Sequence, residues 1–204
     1  MTSLANRRSA ILLFSLPDCL HSHRTRLVIK EKEISAELHE IDINNISEEI
    51  KAISPYDDFP TLVDRDLILQ NSRVIIEYLD ERFPHPPLLP VDPVARAKFR
   101  LALDRIENDW YPEFDKAYNN GMLDNSFQDK IKSYFLEIVP LLNNNFFMST
   151  DFGLVDCSLA PLLWRIKCLG MEIKENKEII DAYSERIFNR ESFQASLSET
   201  EKDM

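Results

Sequence analysis

A chain of 204 residues, 44% apolar and 29% charged, is long enough to bury a core and is neither disordered nor collagen-like in composition. Its three glycines, Gly121, Gly153 and Gly170, stand too far apart to let a backbone cradle phosphates, which excludes the P-loop and the dinucleotide fingerprint. Lys and Arg number 24 against 35 Asp and Glu, a net charge of −11. The basic residues are scattered, so the phosphate-neutralising surplus on which direct nucleic-acid binding draws is missing.

Cys19, Cys157 and Cys168 cannot all pair within the chain and form no CxxC motif, the usage of a reducing compartment. Paired arginines in Asn6-Arg7-Arg8-Ser9 precede an apolar run from Ala10 to Leu16. That run is short, ends in Pro17-Asp18 and leads to no small-residue cleavage site, so it reads as a buried first strand and not as an export signal. No stretch approaches the ~18 apolar residues of a membrane span. The expected location is the cytoplasm, with no membrane partner.

Ala10–Phe14 is a continuous apolar run, the pattern of a strand covered on both faces. Residues 20–33 have helical spacing, with Leu20, Leu27 and Val28 on one side. A second strand is predicted over Ala36–Ile43 and a short helix over Ser47–Ile53. Phe59–Val63 and Leu67–Leu69, separated by Asp64-Arg65-Asp66, read as a hairpin, and Ser72–Phe83 returns to helical spacing. This βαβαββα order predicts a small mixed sheet flanked by helices. The segment Pro84-His85-Pro86-Pro87-Leu88-Leu89-Pro90 suits an extended linker.

Beyond it the pattern is helical. Asp92-Pro93 starts a long amphipathic helix through Phe99, Leu103, Ile106, Trp110, Phe114 and Tyr118, which Pro112 should kink or split. Ile131–Leu142 marks the next helix, Leu154–Leu169 a buried central one, and 175–189 the last, followed by a polar tail. The predicted domains are 1–87, α/β and thioredoxin-like, and 88–204, all-helical.

A thioredoxin-like half, a proline linker and a helical half make up the arrangement of the glutathione S-transferase superfamily, and particular residues resemble it. Phe59-Pro60-Thr61-Leu62-Val63 is similar to the strand whose proline is cis and faces the glutathione backbone. Gln70-Asn71-Ser72 sits where the superfamily places its glutamyl-binding Glu/Gln-Ser pair. Gly153-Leu154-Val155-Asp156 resembles its capping box, with Gly153 in the Ser/Thr slot. Longer runs at Glu77–Val91, Pro93–Arg96, Arg105–Tyr111, Leu154–Arg165 and Arg190–Leu197 resemble the bacterial stringent starvation protein A family, over about residues 10–197. That resemblance implies a homodimeric stress regulator without transferase activity or cofactor, bound to RNA polymerase carrying the housekeeping sigma factor. It puts the partner-binding patch at Pro84, His85 and Pro86, with Pro87 beside them, and makes Cys19, Phe59, Pro60, Asn71 and Ser72 vestiges of a glutathione site.

The residues themselves keep an enzymatic alternative in view. Cys19 falls between the first strand and the first helix, where amide N–H groups and the helix dipole stabilise a thiolate. Cys19-Leu20-His21-Ser22 resembles a one-cysteine glutaredoxin or omega-type transferase site, with Leu20 in place of the usual proline and Asn71 in place of the usual acid or Gln. The alternative function is thus a glutathione-dependent thiol transferase using Cys19; otherwise no residue is read as catalytic. His21 and His23 read as solvated helix-start histidines, because residues two apart do not share a helix face, and no metal site is expected. Trp110, Tyr111 and Trp164 are assigned to packing. Asp156 is assigned to the helix start, where its carboxylate can accept first-turn amides.

Overall fold

The computed structural model describes residues 10–122, 124–142 and 144–204; Asn6–Ser9, with the paired arginines, lie outside them. The chain forms two compact units. One comprises the residues up to Pro86 together with Ala195–Met204, and the other Pro87–Gln194. The last ten residues therefore group with the first unit, whereas the predicted helical domain ran on to 204.

The first unit contains β1 (Ile11–Ser15), α1 (Leu20–Glu31), β2 (Ala36–Glu40), α2 (Glu48–Ile53), β3 (Thr61–Asp64), β4 (Leu67–Leu69) and α3 (Ser72–Arg82). The sheet order is β2-β1-β3-β4. β2 runs parallel to β1, with Phe14 opposite His39, because a helix carries the chain back to the starting end of the sheet. β3 is antiparallel to β1, with Phe14 opposite Thr61, and β4 closes the hairpin through Arg65 at φ 57°. The alternation of β1 feeds two cores: Leu12 and Phe14 pack with Ile41, Ile50, Ile53 and Val63, while Leu13 is fully buried, as are Leu27, Val28, Ile75, Ile76 and Leu79 of α1 and α3. β2 stops at Glu40, three residues short of the predicted end.

α1 is the surprise of this unit. Ser22, His23, Arg24, Thr25 and Arg26 are all buried. For His23 and Arg26 the partner is the C-terminal segment, α9 (Glu191–Ser196) and α10 (Glu199–Lys202), whose last part belongs to this unit. Arg26 donates Nε to the Ser196 carbonyl at 2.8 Å, Nη2 to Glu201 Oε2 at 2.6 Å, and Nη1 to Ser15 Oγ at 2.6 Å. His23 shares a 3.2 Å hydrogen bond with Ser196 Oγ and faces Glu201 Oε1 at 3.4 Å. Ser198 caps α10 and donates to the Pro17 carbonyl at 2.7 Å. The solvated histidines and polar tail of the sequence reading are thus corrected. A buried guanidinium needs its donors met and its charge balanced; for Arg26 the tail supplies the counter-charge and two acceptors, and Ser15 a third.

The second unit contains α4 (Pro93–Arg105), α5 (Tyr111–Asn119), α6 (Asn125–Ile138), α7 (Leu154–Cys168) and α8 (Lys177–Phe188). Asp92 caps α4 by accepting from Ala95 N–H at 2.8 Å. Between α4 and α5 the residues Ile106–Trp110 form a π-helical turn. Pro112 has no N–H and its ring crowds the preceding turn, so the helix widens there instead of breaking. Trp110 stacks on Tyr134 at 5.1 Å, and Trp164 meets Phe188 and Phe193 edge-on. α7 is buried along most of its length.

Asp156 organises this unit. Its carboxylate accepts from Gly153 N–H at 2.8 Å, Phe147 N–H at 2.9 Å and Tyr183 Oη at 2.6 Å. Burial raises its pKa from 3.8 to about 6 against the opposing pull of those bonds. Gly153 is not merely a weak cap: a Cβ there would lie 2.9 Å from the Leu88 carbonyl, which accepts from Leu154 N–H at 2.9 Å.

Candidate functional site

Strand register collects one group of candidate residues at a single end of the sheet. β1 leaves the sheet where β3 enters it, since Phe14 faces Thr61, and β4 leaves it there too, since Leu69 faces Leu62. The segments that follow or precede those ends carry Cys19, Phe59-Pro60 and Asn71-Ser72. The Phe59–Pro60 peptide bond is cis and Pro60 is buried. Cys19 is the N-cap of α1, half-buried, with extended backbone; its carbonyl accepts from His23 N–H at 2.9 Å.

At the start of α3 the polar groups are already engaged. Asn71, at φ 73°, turns its carboxamide oxygen onto the N–H groups of Arg73 at 2.9 Å and Val74 at 3.3 Å. Ser72 is 2% exposed. Its hydroxyl accepts from Arg24 Nη2 and shares a 2.9 Å hydrogen bond with His21 Nδ1. A helix N-terminus otherwise attracts an anion through its unpaired N–H groups. Here the chain's own carboxamide occupies that position. Arg24 and His21 carry this arrangement, and the sequence reading gave neither of them a role at Ser72.

The second group lies at the other end of α3, about 16 Å away by the rise of an 11-residue helix. Pro84, His85, Pro86 and Pro87 are exposed, and the His85–Pro86 bond is cis. The next residues, Leu88 and Leu89, are buried in the second unit. In the first unit the Pro86 carbonyl accepts from Lys32 Nζ at 2.6 Å, and Lys32 Nζ also bonds Asp80 Oδ1 at 2.7 Å. The Lys32 side chain is fully buried. Among the described residues no group of three or more His, Cys, Asp or Glu side chains is arranged to hold a metal ion, and no helix is long and apolar enough to cross a membrane.

This architecture defines the class: a thioredoxin-like mixed sheet carrying a cis-proline, with a separate helical unit, is the glutathione S-transferase fold. The sequence pattern of the family described as glutathione S-transferase, N-terminal domain, matches residues 13–87. The structure of glutathione transferase Omega 3C from Trametes versicolor superposes with a TM-score of 0.83 at 22% identity, covering 96% of this chain and 88% of that one. Sequence relatives narrow the class. A stringent starvation protein A homolog of Haemophilus influenzae is 46% identical over 98% of this chain and 95% of its own length. One of Pasteurella multocida is 47% identical over 97% and 94%. The chain belongs to the stringent starvation protein A family.

Proposed function

We propose that the protein is a stress-response transcription regulator without transferase activity, acting as a homodimer that binds RNA polymerase carrying the housekeeping sigma factor. Its contact surface is the Pro84-His85-Pro86 patch with Pro87 beside it. One observation carries the reading. Four consecutive exposed residues, three of them proline, follow α3 in a segment whose Pro86 carbonyl is held by a buried ammonium. Exposed proline-rich backbone that is already ordered meets a partner with little further loss of entropy.

At the opposite end of α3, Asn71 caps the first amides and Ser72 is engaged by Arg24 and His21, which leaves a glutathione carboxylate few donors. This supports the non-catalytic half of the proposal. Dimerisation is supported by apolar exposure in the first unit, where Tyr56 is 82% exposed and Leu67, Ile68 and Val74 are exposed as well.

The test pairs two assays on the full chain: retention of RNA polymerase holoenzyme, and thiol transfer from glutathione with Cys19→Ser as control. Holoenzyme retained by the wild type and lost on Pro84→Ala/His85→Ala/Pro86→Ala, with no Cys19-dependent turnover, is the expected result. Turnover that disappears in Cys19→Ser, with no polymerase retained, assigns the thiol transferase reading instead.

A further inference from the structure

We infer that Lys32 and Asp80 form a buried clasp that positions the Pro84–Pro86 segment for its partner; this rests on the patch reading above and adds the residues that hold the patch in shape. The argument begins with how α1 ends. Glu33 takes a positive φ of 51°, and Ile34 N–H bonds back to the Ile29 carbonyl at 3.0 Å, a left-handed helix termination. This fixes Lys32 as the C-cap residue, next to the last turn of α3. Its side chain is fully buried, and that of Asp80 is 8% exposed.

A buried ammonium must be paired and hydrogen-bonded. Asp80 Oδ1 at 2.7 Å balances the charge, and the Pro86 carbonyl at 2.6 Å takes a second proton of the same group. The Lys32–Pro86 bond spans 54 residues of sequence and ends on the one kind of atom a proline offers for hydrogen bonding, its carbonyl oxygen. Proline side chains at 84 and 86 have no polar atom with which to anchor themselves, so the segment is ordered through its backbone. Lys32 does the ordering, Asp80 Oδ1 accepts from the same Nζ and so holds it in place, as an asparagine oxygen also can, and the side chains of Pro84, His85 and Pro86 stay exposed to face a partner.

The decisive comparison is between Asp80→Asn and Lys32→Met/Asp80→Asn. The first keeps the donor to Pro86. The second removes it without stranding a buried carboxylate. Backbone 15N relaxation at His85, whose N–H lies within the patch, should give an order parameter near 0.85 in wild type and Asp80→Asn, falling below about 0.6 in the double variant. Affinity for RNA polymerase holoenzyme should fall about tenfold or more in the double variant alone, as expected when several residues must be ordered on binding. Equal order parameters and equal affinities in the two variants overturn the clasp. So does a mobile His85 in the wild type, a measurement that needs no variant to fold. Pro84→Ala/His85→Ala/Pro86→Ala is run alongside: undiminished binding there defeats the patch reading, while the relaxation data still decide the clasp.

Discussion

The protonation of Asp156 makes a prediction that can be worked through. The group is buried in the second unit, and its pKa is raised from 3.8 to about 6 because desolvation outweighs the hydrogen bonds from Tyr183, Phe147 and Gly153. Between those two values the folded chain holds a proton that the unfolded chain has released. The stability from this group is therefore complete below about pH 4 and is lost as pH rises through about 6. Two pKa units amount to about 3 kcal/mol in all, and roughly 1.4 kcal/mol of that falls between pH 7 and pH 5. For a chain of this size the latter corresponds to about 3–6 °C in Tm. Asp156→Asn removes the titration while keeping the side chain's shape. Scanning calorimetry of both proteins at pH 5 and pH 7 cancels the carboxylates they share. The wild type's Tm relative to Asp156→Asn should rise by those few degrees on acidification. A difference that stays constant or shrinks at pH 5 would mean that the hydrogen bonds outweigh burial and that the carboxylate is ionised throughout.

Two further substitutions test the packing within each unit. Glu201→Gln leaves the Arg26 guanidinium buried without its counter-charge and should lower unfolding free energy by about 3–5 kcal/mol in a urea titration; an unchanged midpoint rejects the tail as a structural clamp. Gly153→Ser offers α7 the hydroxyl cap it lacks, yet its Cβ would meet the Leu88 carbonyl at 2.9 Å, so a net loss of about 1 kcal/mol or more is expected and a gain in Tm contradicts the close-approach argument.

What the sequence disclosed follows from the range of the interactions involved. β1 reads as a continuous apolar run and is buried on both faces; Asp92-Pro93 reads as a helix start and caps α4. Both signals are local. Apart from the end of β2, the failures are long-range. His23 reads as a solvated helix-start residue because its partner Ser196 lies 173 residues away, and nothing around Arg26 announces Ser196 or Glu201, 170 and 175 residues away. Lys32 and Asp80 sit in charged stretches that give no hint of a pair 48 residues apart. Gly153 could be seen to fill a Ser/Thr slot, but the reason for a glycine there is an approach by Leu88 that no pattern around residue 153 encodes. Cys19, Pro60, Asn71 and Ser72 were legible as a group through their resemblance to a known scaffold, whereas the engagement of Ser72 by Arg24 and His21 needed coordinates.

The two ends of α3 respond in opposite ways to the same problem, that of backbone and side-chain groups left open at a helix terminus. At the N-terminal end an incoming carboxylate can only accept hydrogen bonds, so it needs donors. The amides of Arg73 and Val74 already point at Asn71 Oδ1, the Arg24 Nη2 donor is already spent on the Ser72 hydroxyl, and that hydroxyl is also hydrogen-bonded to His21 Nδ1. A ligand there has to displace bonds that the folded chain makes with itself and gains only the difference. At the C-terminal end the balance reverses. Lys32 satisfies the Pro86 carbonyl from beneath, and the exposed faces of Pro84, His85 and Pro86 carry apolar area and one imidazole whose contacts with a partner would displace only water. A surface that is ordered in advance and left uncovered favours recognition, and one whose donors are spent internally disfavours it, so the physical asymmetry along one helix supports a regulator that binds near the linker over an enzyme that works at Cys19.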